Sequence, residues 1–322
     1  MTMKFGFGQP LKRKEDDALL RGAGRYIADV SASATLQAAV LRSPHAHARF
    51  TIENLDRVRA MPGVRLILVA DDIADLGPLP TPGVIPGPEI KVPHYPILAK
   101  DVVRHVGDSI AFIVADTLAA AKDAAESIAI DWHPLPHVIG AVAALAPRAP
   151  RVWPDRPDNL AFETDLGDAA ATKAAFAKAA RTVEMTIVNQ RLVTNYMDTR
   201  GVVAEYDSAR YTLTLGSQGS HIIRDIICND VLHIPPERMR VITPDVGGGF
   251  GTKLFPYREY ALAAVAAERT GKPVRWICDR SEHFLGDSHG RDNISTARLA
   301  VDDKGHFLAL DLDIVADMGA YL

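Results

Sequence analysis

Residues 134–160 interrupt the chain. They are rich in proline and alanine, with PRAPRVWPDRPDN at their centre. Proline fixes φ and offers no backbone N–H, so so dense a run sustains neither a helix nor a sheet strand. A chain of 322 residues is long enough for about two domains, each with its own core. The expected organisation is therefore an N-terminal domain over 1–135, a linker over 136–160 and a second domain over 161–322.

Ahead of the linker, LQAAVLR (36–42) reads as a strand, 53–61 as a short helix and VRLILV (64–69) as a buried strand. Seven prolines and three glycines between 77 and 96 mark an irregular excursion. A second unit repeats the pattern: strand 109–115 (SIAFIVA), helix 117–127 capped by Asp116 or Thr117, and strand 128–132. Two β-α-β units make an α+β domain. Beyond the linker come a helix at 168–180, a strand at 181–189 and a hairpin pairing 201–207 with 211–216. A helix at 220–232, a strand at 239–243, a helix at 257–270 stopped by Gly271, and a hairpin of 293–301 with 306–316 complete the second half. The last residues, DMGAYL, carry no polar terminal segment, so the domain is expected to continue beyond them.

Composition narrows the partners. The net charge of −4 gives no basic footprint, which argues against nucleic acid and anionic membrane. Two cysteines, Cys228 and Cys278, form neither a disulfide framework nor a metal spacing. With no apolar signal segment and no run near eighteen apolar residues, a reducing, cytoplasmic setting is expected.

The second half carries the densest local signal, DVGGGFGTK (245–253), where a strand ends and a helix begins within a few residues. Glycine loses more backbone entropy on folding than any other residue, so four in five positions imply that something must approach the backbone closely. A phosphate P-loop needs glycine immediately before its lysine, and here Thr252 intervenes. The dinucleotide pattern fails too, because the spacing is Gly247-x-Gly249-x-Gly251. What remains is a nest of backbone N–H groups suited to an anionic or oxo group, or a plain strand-to-helix turn. Gln218 in SQGSH sits at the mouth of a helix, where a side-chain amide can aim at a bound group or merely cap. His45 and His47 lack a third ligand for a metal. His289, Arg291 and Asp292 read as a salt-bridged turn, and Arg200 as one side of a structural ion pair.

Several segments together resemble one family, the molybdenum-binding large subunits of the xanthine dehydrogenase, aldehyde oxidase and carbon monoxide dehydrogenase group. GQPLKRKEDDALLRGAGRYIADV (8–30) is similar to the family's entry segment. LRSPHAHARF, HVGDSIAFIVAD and IDWHPLPHVIG resemble its α/β hammerhead domain. NQRLVTNYMDTRGVVAEYD, SQGSH, DVGGGFGTK and HGRDN follow in the order of the first part of its molybdopterin-binding domain. The resemblance covers the whole chain and implies an α+β fold made of those two parts.

It further implies hydroxylation with water as oxygen source, at molybdenum carried by molybdopterin, commonly as the cytosine dinucleotide. The substrate would be a small molecule, an aldehyde, an N-heterocycle or carbon monoxide. Electrons would leave through 2Fe-2S clusters on a small partner subunit and FAD on a medium one. By the same resemblance, Gln218 matches the glutamine beside the metal's apical oxygen. Phe250 and Gly251 match the pair whose backbone lies against that oxygen, with Phe250 as a pocket wall. Gly247, Gly248 and Gly249 match the loop leading there; none of these six is a direct metal ligand. The sequence departs from the family's Glu-Pro-Arg with Asp198-Thr199-Arg200, and from the purine oxidisers' substrate glutamate with Leu254. The general-base glutamate of the family is expected beyond residue 322, in a C-terminal half of the large subunit, and the chain alone is expected to be inactive. Two other readings stay open: a non-catalytic assembly module that keeps the hammerhead fold, and a nucleotide-binding protein using the glycine loop.

Overall fold

The computed structural model describes residues 8–321 except 9, 31, 82–86 and 88. The first seven residues, part of the proline-rich excursion and Leu322 thus lie outside the described residues. Strand Ser109–Ala115 organises what lies inside. All seven of its residues are buried, and a continuous apolar run of this kind needs cover on both faces. Its two edges pair with Leu36–Arg42 and Val64–Leu68, antiparallel to both, and its two faces are covered by helices. Phe112 and Val114 join the core on the side of helix Arg258–Thr270. Ala111, Ile113 and Ala115 pack with Ala121 and Ala124 of helix Leu118–Ser127. Thr117 is the residue that caps this second helix, accepting the Ala120 N–H at 3.1 Å.

The second β-α-β unit does not close as the sequence suggests. Strand Ile130–Pro134 pairs with Ala48–Ile52, a strand without a sequence signal of its own, and not with Ser109–Ala115. The reason is burial. Ile130–Pro134 is largely exposed and suits a small outer sheet, whereas Ser109–Ala115 claims the centre.

The linker also fails to separate two cores. One seven-stranded sheet runs in the order Met239–Ile242, Tyr211–Leu215, Gly201–Tyr206, Val274–Ile277, Leu36–Arg42, Ser109–Ala115, Val64–Leu68. Strands from the two sides of the linker meet where Leu36 pairs with Val274 and Gln37 with Arg275, in parallel. Either edge, left alone, would hold a row of unpaired N–H and C=O groups; joining them satisfies both. The hairpin of Gly201–Tyr206 and Tyr211–Leu215 stands as read from sequence. Asn293–Val301 likewise pairs with Phe307–Ala316, and its other edge takes Arg181–Asn189, giving a separate three-stranded sheet.

Helix Arg258–Thr270 packs on the shared sheet, with every residue from Arg258 to Ala267 buried. Alanines at 261, 263, 264, 266 and 267 let it approach closely, and it ends at Gly271 in the left-handed conformation. Its first turn brings charge inside. Glu259 accepts from Arg42 Nη2 at 2.5 Å and from Arg200 Nη1 at 3.3 Å. Arg42 also donates to Glu282 and Ser109, each at 2.9 Å. Arg258 reaches Asp108 at 2.6 Å. These pairs tie the N-terminal strands to the second half.

Burial opposes ionisation of Glu259, but Arg200 and Arg42 overcome it and hold the carboxyl at about 2. A depressed folded value stabilises above the ordinary carboxyl range and loses that contribution as pH falls through about 2. Glu259→Gln is expected to cost about 3–5 kcal/mol at neutral pH, since it strands two buried guanidinium groups. Urea denaturation followed downward in pH should show the gap between wild type and variant closing below the ordinary carboxyl range. A gap that stays constant throughout would contradict the ion-pair assignment.

Candidate functional site

Strand Met239–Ile242 delivers the glycine loop beside the neighbouring strand Tyr211–Leu215, with which it pairs in parallel. Both strands therefore end at the same side of the sheet, and Gln218 emerges next to DVGGGFGTK. The amide oxygen of Gln218 accepts the Gly251 N–H at 2.9 Å, and the Gln218 N–H donates to the Lys253 carbonyl at 3.0 Å. With its oxygen occupied, the side-chain NH2 of Gln218 is left to donate outward.

The structure brings the six expected residues together. Gly247 and Gly248 are half-buried and Gly249 is buried, while Gln218, Phe250 and Gly251 are exposed. A Cβ at Gly249 would collide with the Gln218 amide, so glycine there is what lets the two segments touch. Gly251 has φ +95° with open space beside it, a conformation costly for any other residue. Phe250 itself has φ +47° and its ring is 74% exposed. The residue expected as a pocket wall is thus largely exposed in this chain. Among the described residues, the N–H groups of Gly248, Gly249 and Phe250 meet no protein acceptor. Neighbouring backbone donors without a protein acceptor, beside a side-chain amide, are of the kind that suits an oxo or phosphate oxygen.

Beneath the loop lies a floor that sequence reasoning missed. Lys253 is fully buried, and its ammonium donates to the Asp198 carbonyl at 2.5 Å and the Asp198 carboxylate at 2.9 Å. The same carboxylate oxygen accepts the Gly247 N–H at 3.2 Å, while the Asp198 N–H returns a bond to the Gly247 carbonyl at 3.3 Å. Burial lowers the Lys253 pKa against the pull of Asp198. The lysine sits 4.6 Å over the Tyr196 ring, and the Tyr196 hydroxyl donates to Asp287. Asp287 also accepts from Arg200 Nε at 2.7 Å. A lysine committed to this floor is not free to grip a phosphate above the loop. No local pattern could have revealed the pair, since 55 positions separate Asp198 from Lys253.

Arg200 is the structural ion pair expected of it. It is wholly buried between Glu259 and Asp287, with the Tyr257 ring 3.5 Å away. Burial alone would lower its pKa, but the two carboxylates raise it well above the usual value. Asp292 pairs with Arg191 at 2.7 Å, and His289 lies in a short strand against Leu192–Val193. Neither joins the glycine loop. His47 is buried, with Nδ1 2.9 Å from the Pro136 carbonyl, and the His45 ring lies 4.8 Å from Trp132. Both lie in the bend that leads into strand Ala48–Ile52 of the small outer sheet. Among the described residues, no group of three or more His, Cys, Asp or Glu side chains could hold a metal ion, and no helix is long and apolar enough to cross a membrane.

Comparison with known proteins matches residues 21–136 to the aldehyde oxidase and xanthine dehydrogenase a/b hammerhead domain, and residues 152–322 to the molybdopterin cofactor-binding domain. The carbon monoxide dehydrogenase large chain of Hydrogenophaga pseudoflava is 32% identical over 96% of this chain and 39% of its own length. The nicotine 6-hydroxylase large subunit of Paenarthrobacter nicotinovorans is 32% identical over 98% of this chain and 38% of its own. The crystal structure of quinoline 2-oxidoreductase from Pseudomonas putida 86 superposes with a TM-score of 0.87 at 36% identity, covering 98% of this chain and 40% of that one. The chain thus spans about 40% of the length of these relatives. An α+β hammerhead part followed by a molybdopterin-binding part is the fold the sequence led one to expect, and the chain belongs to the molybdenum hydroxylase large-subunit family of the xanthine dehydrogenase and carbon monoxide dehydrogenase type.

Proposed function

We propose that the chain forms the N-terminal part of a molybdenum hydroxylase large subunit, with its glycine loop and Gln218 facing the molybdenum of a molybdopterin cofactor. The observation that carries this reading is the contact of Gln218 with the Gly251 N–H, which joins the SQGSH segment to the glycine loop within the region matched to the cofactor-binding family. When bound, the molybdenum centre supplies the oxidation, taking two electrons from a substrate carbon while water supplies the oxygen.

This chain's own residues orient and hold. The Gln218 side-chain NH2 would serve as a hydrogen-bond donor to the cofactor, and the N–H groups of Gly248, Gly249 and Phe250 would line its approach. Glycine at 249 keeps the two segments in contact, and the Asp198–Lys253 pair fixes the loop from below. Phe250, bare in this chain, would be covered once the remaining part of the subunit packs against the loop. That part would bring the general-base carboxylate, so the chain alone would not turn over substrate. The cofactor would be the cytosine dinucleotide form, and electrons would pass to 2Fe-2S and FAD groups on partner subunits. The substrate class is an aldehyde, an N-heterocycle or carbon monoxide. Leu254, where purine oxidisers carry a glutamate, weighs against a purine.

In the assembled large subunit, Gln218→Ala should lower turnover about 100-fold, the usual loss when one donor to the reacting oxygen is removed. Its cost in stability should not exceed about 1 kcal/mol, because the side chain is exposed and makes one bond. Turnover with a panel of the three substrate classes, set beside thermal denaturation, separates the two effects; unchanged turnover would remove Gln218 from the metal's surroundings. Lys253→Met should release the loop from its floor. Amide hydrogen exchange over 245–253 is expected to report about 1–3 kcal/mol of lost local protection, and unaltered exchange would show that the buried pair does not hold the loop.

A further inference from the structure

The three-stranded sheet of Arg181–Asn189, Asn293–Val301 and Phe307–Ala316 is built inside out. Its register sets Val183 beside Leu299 and Leu310, Met185 beside Ala297 and Leu312, and Ile187 beside Ser295 and Ile314. Residues directly opposite one another share a face, so these nine positions form one surface with a single polar member. It is bare. Val183 is 48% exposed, Met185 59%, Ile187 47%, Leu310 55%, Leu312 51% and Ile314 56%. The opposite face carries the charge. There Arg298 lies between Glu184 at 3.5 Å and Asp311 at 3.4 Å, with the Phe176 ring of helix Ala169–Ala177 4.9 Å away.

A sheet with one free face normally turns its polar side outward. Here the polar side meets a helix of the same chain and the aliphatic side meets solvent. Six half-exposed aliphatic side chains amount to on the order of several hundred Å2 of contiguous apolar surface, the size at which such a patch marks an interaction site.

We propose that this apolar face seats the portion of the large-subunit polypeptide that lies beyond the region this chain spans, an inference that rests on the large-subunit reading above. Two observations select that occupant over a second copy of the chain. The relatives are large chains of which this one spans about 40%, so each has more than half its length outside the matched region. The patch is also smaller than the roughly 800 Å2 per partner of a stable dimer. It suits a cover that belongs to the same subunit and is anchored elsewhere as well. The occupant presents an apolar layer of its own, which closes the three-stranded sheet into a two-layer core.

The test compares the 322-residue chain alone with the subunit assembled from it and the same organism's polypeptide corresponding to the rest of the relatives' length, joined or supplied separately. Amide exchange over 181–189, 293–301 and 307–316 should slow about tenfold or more on assembly. The dye 8-anilinonaphthalene sulfonate should bind the chain alone and lose most of that signal on assembly. The pair Met185→Lys with Leu312→Lys should abolish dye binding and prevent assembly. The pair Thr186→Lys with Asp313→Lys, on the opposite face of the same strands, should do neither. All four side chains are exposed, and the wild-type exchange comparison stands without any variant. Assembly with these amides still exchanging freely would overturn the proposed face and leave the large-subunit reading intact. A dimer of the chain alone, broken by the first pair, would assign the face to a second copy. Failure of the two polypeptides to assemble at all would overturn the large-subunit reading, and the proposal with it.

Discussion

Glu259 stands between the guanidinium groups of Arg42 and Arg200, and the two halves of the sequence meet at that contact. Arg42 ends a strand of the N-terminal half, Arg200 precedes a strand of the second half, and Glu259 belongs to the helix packed on the sheet that both strands share. None of the three could be buried alone. An ion taken from water costs several kcal/mol unless its partner goes with it, so the halves must close together or not at all. Shared strand pairing at Leu36 and Val274 then follows.

From this seam a run of contacts leads to the glycine loop. Arg200 donates to Asp287, Tyr196 donates to Asp287, Lys253 lies over Tyr196, and Asp198 joins Lys253 to the Gly247 N–H. The loop is soft by composition, since glycine resists little, and the network supplies the rigidity its sequence lacks. The result is a glycine loop set on a floor of buried charge, with the N–H groups of Gly248, Gly249 and Phe250 left without a protein acceptor among the described residues.

Much of this was legible in the sequence, for a physical reason in each case. SIAFIVA announces a strand, Asp302-Asp303-Lys304-Gly305 announces a turn, and Gly271 announces a helix end. The cluster of Gln218 with Gly247 to Gly251 came from resemblance, and geometry now gathers those residues. What stayed hidden depends on contacts between distant residues. The pairing of Leu36 with Val274 spans the linker, and composition alone made that linker read as a break between cores. Asp198 and Lys253 carry no local pattern, and the lysine's misplacement for a P-loop gave no hint that it points inward. Phe250 resembles a pocket wall by its place in the motif, and local sequence gives no measure of its 74% exposure.

The role proposed for this chain is to contribute one side of a molybdenum site that a second portion of the subunit completes. The most direct measurement is the molybdenum content, per chain, of the purified 322-residue chain and of the large subunit assembled with that second portion. Close to one molybdenum per assembled subunit, with far less on the chain alone, is the expected result. An assembled subunit without molybdenum, or a stoichiometric metal on the chain alone, would contradict it.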